Sequence, residues 1–138
     1  MPHDLQRFVN PHKEDFEIAL AEIKAGRKRS HWMWYIFPQI KGLGFSETSR
    51  YYALESIEEA KEFLHHPILG KNLLTITSEL LTLNTTNARL IFGTPDDMKL
   101  FSSMTLFSLI SPTNPIFIQV LEKFFNGEKD ERTIQLLK

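Results

Sequence analysis

The chain has 138 residues, 16 Lys+Arg against 17 Asp+Glu for a formal net charge of -1, 42% hydrophobic residues and no cysteine. This composition excludes a disulfide scaffold, a cysteine nucleophile and thiolate metal sites, and it supplies enough apolar surface for one compact domain spanning residues 1–138. The balanced charge argues against a module built to hold a phosphate backbone, and the absence of a targeting pattern in residues 1–8 or of a membrane-length apolar run predicts a cytoplasmic protein away from the membrane.

Residues 4–9 read as a preliminary helical turn ended by Asn10-Pro11, because proline disfavours a helical residue before it. Phe16, Ala19, Leu20 and Ile23 then recur at helical spacing over residues 14–24, with Gly26 placed as a C-terminal glycine. Residues 32–37 form a short apolar run, read as a helix with Ser30 as N-cap and Pro38 as its stop. Gly42 and Gly44 mark a turn, Ser46 caps a short helix carrying Tyr51, Tyr52 and Leu54, and Ser56 with Glu59 forms a capping box that opens a helix to about His65. After the break at His66-Pro67, Leu69, Leu73, Leu74, Ile76, Leu80 and Leu81 describe the buried face of a helix ending near Asn84.

Thr94-Pro95 and Asn114-Pro115 each combine a capping side chain with proline at the first helical position. The first opens a helix over residues 96–110, with Asp96 and Asp97 near the positive end of its dipole. The second opens one whose stripe is Phe117, Val120, Leu121, Phe124 and Phe125, ending at Gly127; Asp130 caps a last helix holding Ile134 and Leu137. Strand patterns are lacking, so the expected fold is an all-α, single-domain irregular bundle of six to eight helices.

Two segments carry the residues with chemistry. In the first, Arg27, Lys28 and Arg29 precede Ser30, His31 and an aromatic run containing both tryptophans. A helix beginning at Ser30 would gather free amides, its dipole and nearby cations on one spot, with Trp32 or Trp34 to stack on a ring and His31 to move a proton. In the second, Asp96, Lys99 and Ser103 share a helix side, and Ser102, Ser103 and Thr105 interrupt an apolar stretch. The plainer alternative is that the aromatics are core, the basic run is solvated, and the hydroxyls bond back to the helix carbonyls. Glu62 and His65 have the spacing of a di-iron helix pair, but the second copy is missing, so no metal and no cofactor are expected.

These pieces resemble the family known as domain of unknown function 1810 across essentially the whole chain. The resemblance lies in residues 4–8, Lys28 with residues 30–39, Gly42-Leu43-Gly44 with Ser46, His66-Pro67-Ile68-Leu69-Gly70, Ile91-Phe92-Gly93 with Asp97 and Lys99, residues 102–107, and Phe124-Phe125-Asn126-Gly127 with Asp130. It implies a mainly α-helical fold and no particular reaction. Some members are labelled calpastatin, whose inhibitory action belongs to flexible repeats; this compact, aromatic-rich chain has none.

The functional expectation is a pocket between residues 28–39 and 96–107 that binds a small anionic or nucleotide-like ligand. Lys28, Ser30 and Lys99 would hold the anion, Trp32 or Trp34 would stack, Gln39 would fix orientation, and Ser102 is a further ligand-binding candidate. As a hydrolase or transferase the protein would use His31 as general acid/base and Asp97 as its orienting partner or as the base that activates water. The alternative is a non-catalytic protein-interaction module presenting an aromatic patch or the Phe124-Phe125 helix. Binding of nucleic acid through Arg27 to Arg29 is disfavoured by the overall charge, and oligomeric state is not legible.

Overall fold

A computed structural model describes residues 4–138; the first three residues of the start examined for a targeting signal lie outside them. The described residues form nine helices and no strand, an irregular all-α bundle as expected, with one more helix than the range anticipated. No helix among them is long and apolar enough to cross a membrane.

Helix α1, Gln6–Lys24, runs without interruption through Pro11, where two separate pieces were expected. Proline costs one amide donor and crowds the preceding turn. Burial of Phe8 and Val9 before it, and of His12 and Phe16 after it, holds the helix on both sides. Gly26, at φ 79, ends the helix as expected.

Helix α2, Met33–Ile36, is a single turn whose N-cap is Trp32, without a side-chain cap. Ser30 does not cap it, because its hydroxyl turns back to α1. The chain then makes an isolated parallel bridge between Ile40 and Leu54, in which the Lys41 amide donates to the Leu54 carbonyl and the Leu54 amide to the Gln39 carbonyl, both at 2.9 Å. Between the bridged positions lies α3, Glu47–Tyr52, capped by Ser46 as expected; Leu54 lies beyond its end.

Helices α4, Ile57–His65, and α5, Leu69–Thr82, meet at His66, whose Nδ1 accepts the Ile68 and Leu69 amides. The short helix α6, Ala88–Phe92, capped by Asn87, is one that the sequence pattern does not announce. Helix α7, Asp96–Ile110, begins after Pro95 rather than with it: Pro95 is the N-cap and Thr94 caps nothing, following a cis Thr94–Pro95 bond. Pro115 likewise stands at the N-cap of α8, Ile116–Phe125, while the Asn114 side chain accepts the Ile116 amide. Helix α9, Glu131–Leu136, is capped by Asp130 as expected.

The core gathers around α5, which packs on α1, α4 and α8, and α7, which packs on α4, α6, α8 and α9. Helix α7 is buried from Ser102 through Ser108, so its interior position leaves no single apolar stripe. Phe124 and Phe125 are half-buried against the core, and Phe125 packs on Phe101 with ring centroids 4.8 Å apart. The Phe124-Phe125 helix is therefore committed largely inward.

Candidate functional site

The basic-aromatic segment folds around an anion supplied by the protein itself. Glu22, on α1, accepts the Arg29 amide at 2.8 Å, the Ser30 amide at 3.0 Å and the Trp32 indole N–H at 2.9 Å through one oxygen. Its other oxygen accepts the Ser30 hydroxyl at 2.6 Å. Burial pushes the Glu22 carboxyl up, but these four donors outweigh it and bring it down to about 2. The amides expected to receive a ligand thus hold a side chain that lies on another element.

Lys28 is drawn into the same structure. Its ammonium bonds the Ser30 carbonyl at 2.5 Å, pairs with Asp96 at 2.9 Å and lies 5.0 Å from the Trp32 ring centroid. Trp32 itself is only 1% exposed and packs edge-on against Phe92, so it offers no face to a ligand. Arg27 and Arg29 remain exposed.

Asp96 joins the two segments. Besides Lys28, it binds Lys99 at 3.0 Å. Burial raises its carboxyl, and the two ammonium groups overcome that effect to hold it below the usual range. Lys99 in turn lies 3.8 Å above the Trp34 ring, a cation–π contact that fixes the ammonium at the seam between α2 and α7.

At this seam is a cavity of about 310 Å³ lined by Trp34, Gln39, Lys99 and Ser102, together with Leu43, Gly44, Pro95, Met98, Asp130 and Arg132. Its volume falls in the range of small-molecule sites. The structure thus brings four of the nine sequence-predicted site residues to one cavity. Ser102 donates to Asp130 at 2.7 Å, as does Thr133, and the Asp130 amide donates to Thr105 at 2.9 Å. This network docks the start of α9 on α7 and brings Arg132 to the cavity.

His31 and Asp97 are placed apart from that lining. The His31 side chain is exposed. Asp97 accepts the Met98 amide at 2.9 Å and the Thr94 hydroxyl at 3.3 Å, the local work of a first-turn acid. Sequence reasoning recognised Asp130 as a cap but missed its place at the cavity, and it missed Glu22 and Arg132 entirely. The Asp130 cap was the available signal for α9, while the return of α9 onto α7 depends on tertiary packing.

The described residues form a small all-α domain, and comparison with known proteins gives its family. The chain belongs to the family described as protein of unknown function, DUF1810, whose sequence model matches residues 2–137. It is similar to the conserved hypothetical protein Rv1873 from Mycobacterium tuberculosis, known from a crystal structure, at 42% identity over 99% of this chain and 98% of that one, with a TM-score of 0.96. No curated protein matches the chain.

Proposed function

We propose that the protein binds a small anionic ligand in the cavity between α2 and α7. The observation that carries this reading is the convergence of Lys99, Arg132 and Gln39 on one small cavity, whose Ser102 hydroxyl is already committed to Asp130. Lys99 is anchored by Asp96 and Trp34, so little side-chain freedom is lost when it meets an anion. Arg132 supplies a second cation from α9, and Gln39 supplies both a donor and an acceptor from a backbone held by the Leu54 bridge. Asp130 adds a negative charge to the lining, but one of its oxygens already accepts two hydroxyls and the other the Arg132 amide.

This is a reading of binding, with no residue assigned to a chemical step, since neither His31 nor Asp97 lines the cavity. Lys28 and Ser30 support it indirectly, by positioning Asp96 and the segment leading to Trp34. The test is calorimetric titration with phosphate and pyrophosphate. Lys99→Gln should weaken binding roughly tenfold or more, the worth of a charge-assisted hydrogen bond. Asp96 keeps its Lys28 partner in that variant. His31→Ala should bind as the wild type does, and failure of both anions to bind the wild type would end the proposal.

A further inference from the structure

A second cavity, of about 370 Å³, adjoins the first and shares Trp34, Gln39, Leu43 and Gly44 with it. Its character differs, because Tyr52 and Phe45 join Trp34 in its wall. One face of Trp34 is covered by the Lys99 ammonium, and the indole also borders this second cavity. Phe45 stands at the rim 75% exposed, a large apolar ring left in water by the fold.

The loop that carries Phe45 is closely fitted. A Cβ on Gly44 would lie 2.6 Å from the Ser49 hydroxyl oxygen. One on Gly42, at φ 109, would lie 2.9 Å from Leu136. Only glycine permits both approaches without a shift; the first holds the residue before Phe45 against α3, and the second holds the turn against α9. Gln39 sits at the junction of the two cavities, where its carboxamide can read donor and acceptor atoms on a ring edge.

We infer that the ligand of the anion cavity carries a planar heteroaromatic ring, seated in the adjoining cavity among Trp34, Tyr52 and Phe45, the layout of a nucleoside monophosphate. This rests on the anion-binding reading above and adds to it the ring, its location and the role of Phe45. Aromatic side chains favour offset or edge contacts with a flat ring, and stacking on them tolerates variation in the base. The four shared residues make the two cavities neighbours, so one molecule with a short linker between ring and anion would reach both.

The test is calorimetric titration of the full chain and of Phe45→Ala with phosphate, adenosine, AMP and GMP. At least one nucleotide should bind wild type tenfold or more tightly than phosphate and than adenosine. Phe45→Ala should abolish that advantage while leaving phosphate affinity unchanged; the exposed position keeps the fold out of the comparison. Nucleotides that bind no more tightly than phosphate would overturn the ring site and leave the anion site standing. An advantage that survives Phe45→Ala would overturn it equally, whereas a wild type that binds neither phosphate nor nucleotide would remove the anion site as well.

Discussion

Arg7 uses all five of its guanidinium hydrogens. Two meet Glu59 at 2.8 and 3.1 Å, and the others meet the carbonyls of Tyr51 at 2.8 Å, Ala53 at 2.9 Å and Asp4. Glu59, only 1% exposed, also accepts the Glu55 amide at 2.8 Å. Removing one member of such a buried pair strands the other, so Arg7→Met should cost about 3–5 kcal/mol in urea unfolding. The exposed Lys41–Glu55 pair makes the contrast: Lys41→Met should change stability by less than about 1 kcal/mol. Sequence reading found Glu59 as part of a capping box with Ser56, and Ser56 does accept the Glu59 amide at 3.2 Å. The reciprocal bond shifts one residue, to Glu55, because the carboxylate also serves an arginine 52 positions away. Glu22 was hidden for a similar reason: nothing in the helix pattern says that a glutamate in the last turn of α1 will gather donors from the loop that follows.

At the scale of elements, helices with long periodic faces or local caps were legible and those governed by neighbours were not. α5 and α8 have clear apolar stripes, and Ser46, Ser56 and Asp130 cap where expected. α6 has only five residues, too few to show a period, and α1 crosses Pro11 because tertiary burial outweighs the local cost. The end of α5 has no basic residue in its own last turn; Lys123 of α8 instead donates to the Leu80 and Leu81 carbonyls at 3.0 and 3.1 Å, and to that of Leu83. The start of α5 is fixed by contact with α4. A Cβ on Gly70 would lie 1.8 Å from the Leu64 carbonyl oxygen, a backbone atom that cannot turn aside. Gly70→Ala should therefore lower stability by about 3 kcal/mol or more despite alanine's higher helix propensity, visible as a lower melting temperature. An unchanged melting temperature would show that the α4–α5 junction opens freely.

Across the whole molecule, two titrating groups fasten α1 to the tryptophan segment, and acid should release them in sequence. His12 is buried and neutral, with Nε2 2.7 Å from the Tyr35 carbonyl and Nδ1 3.0 Å from the Asn72 amide nitrogen. Burial lowers it to about 4, against the opposing pull of the Tyr35 carbonyl. Above pH 6.5 folded and unfolded chains both hold this ring neutral; between 6.5 and about 4 only the unfolded chain takes up the proton, so stability falls as pH falls. Over that interval the loss is at most about 3 kcal/mol, from 1.36 kcal/mol per pH unit. Glu22 acts lower. Its folded carboxyl, at about 2 against an ordinary 4.5, favours the folded state above pH 4.5, and this contribution is lost as pH falls towards 2. Solvent screening reduces its worth to roughly 1–2 kcal/mol. Urea midpoints measured from pH 7 to 2.5 should show both declines. His12→Gln should flatten the upper one whatever it costs in absolute stability, and Glu22→Gln the lower. Because both groups hold the chain on either side of Trp34, the proposed anion binding should fail along with stability in acid. Restoring the midpoint with a stabilising osmolyte should restore binding if the site depends on this anchoring alone.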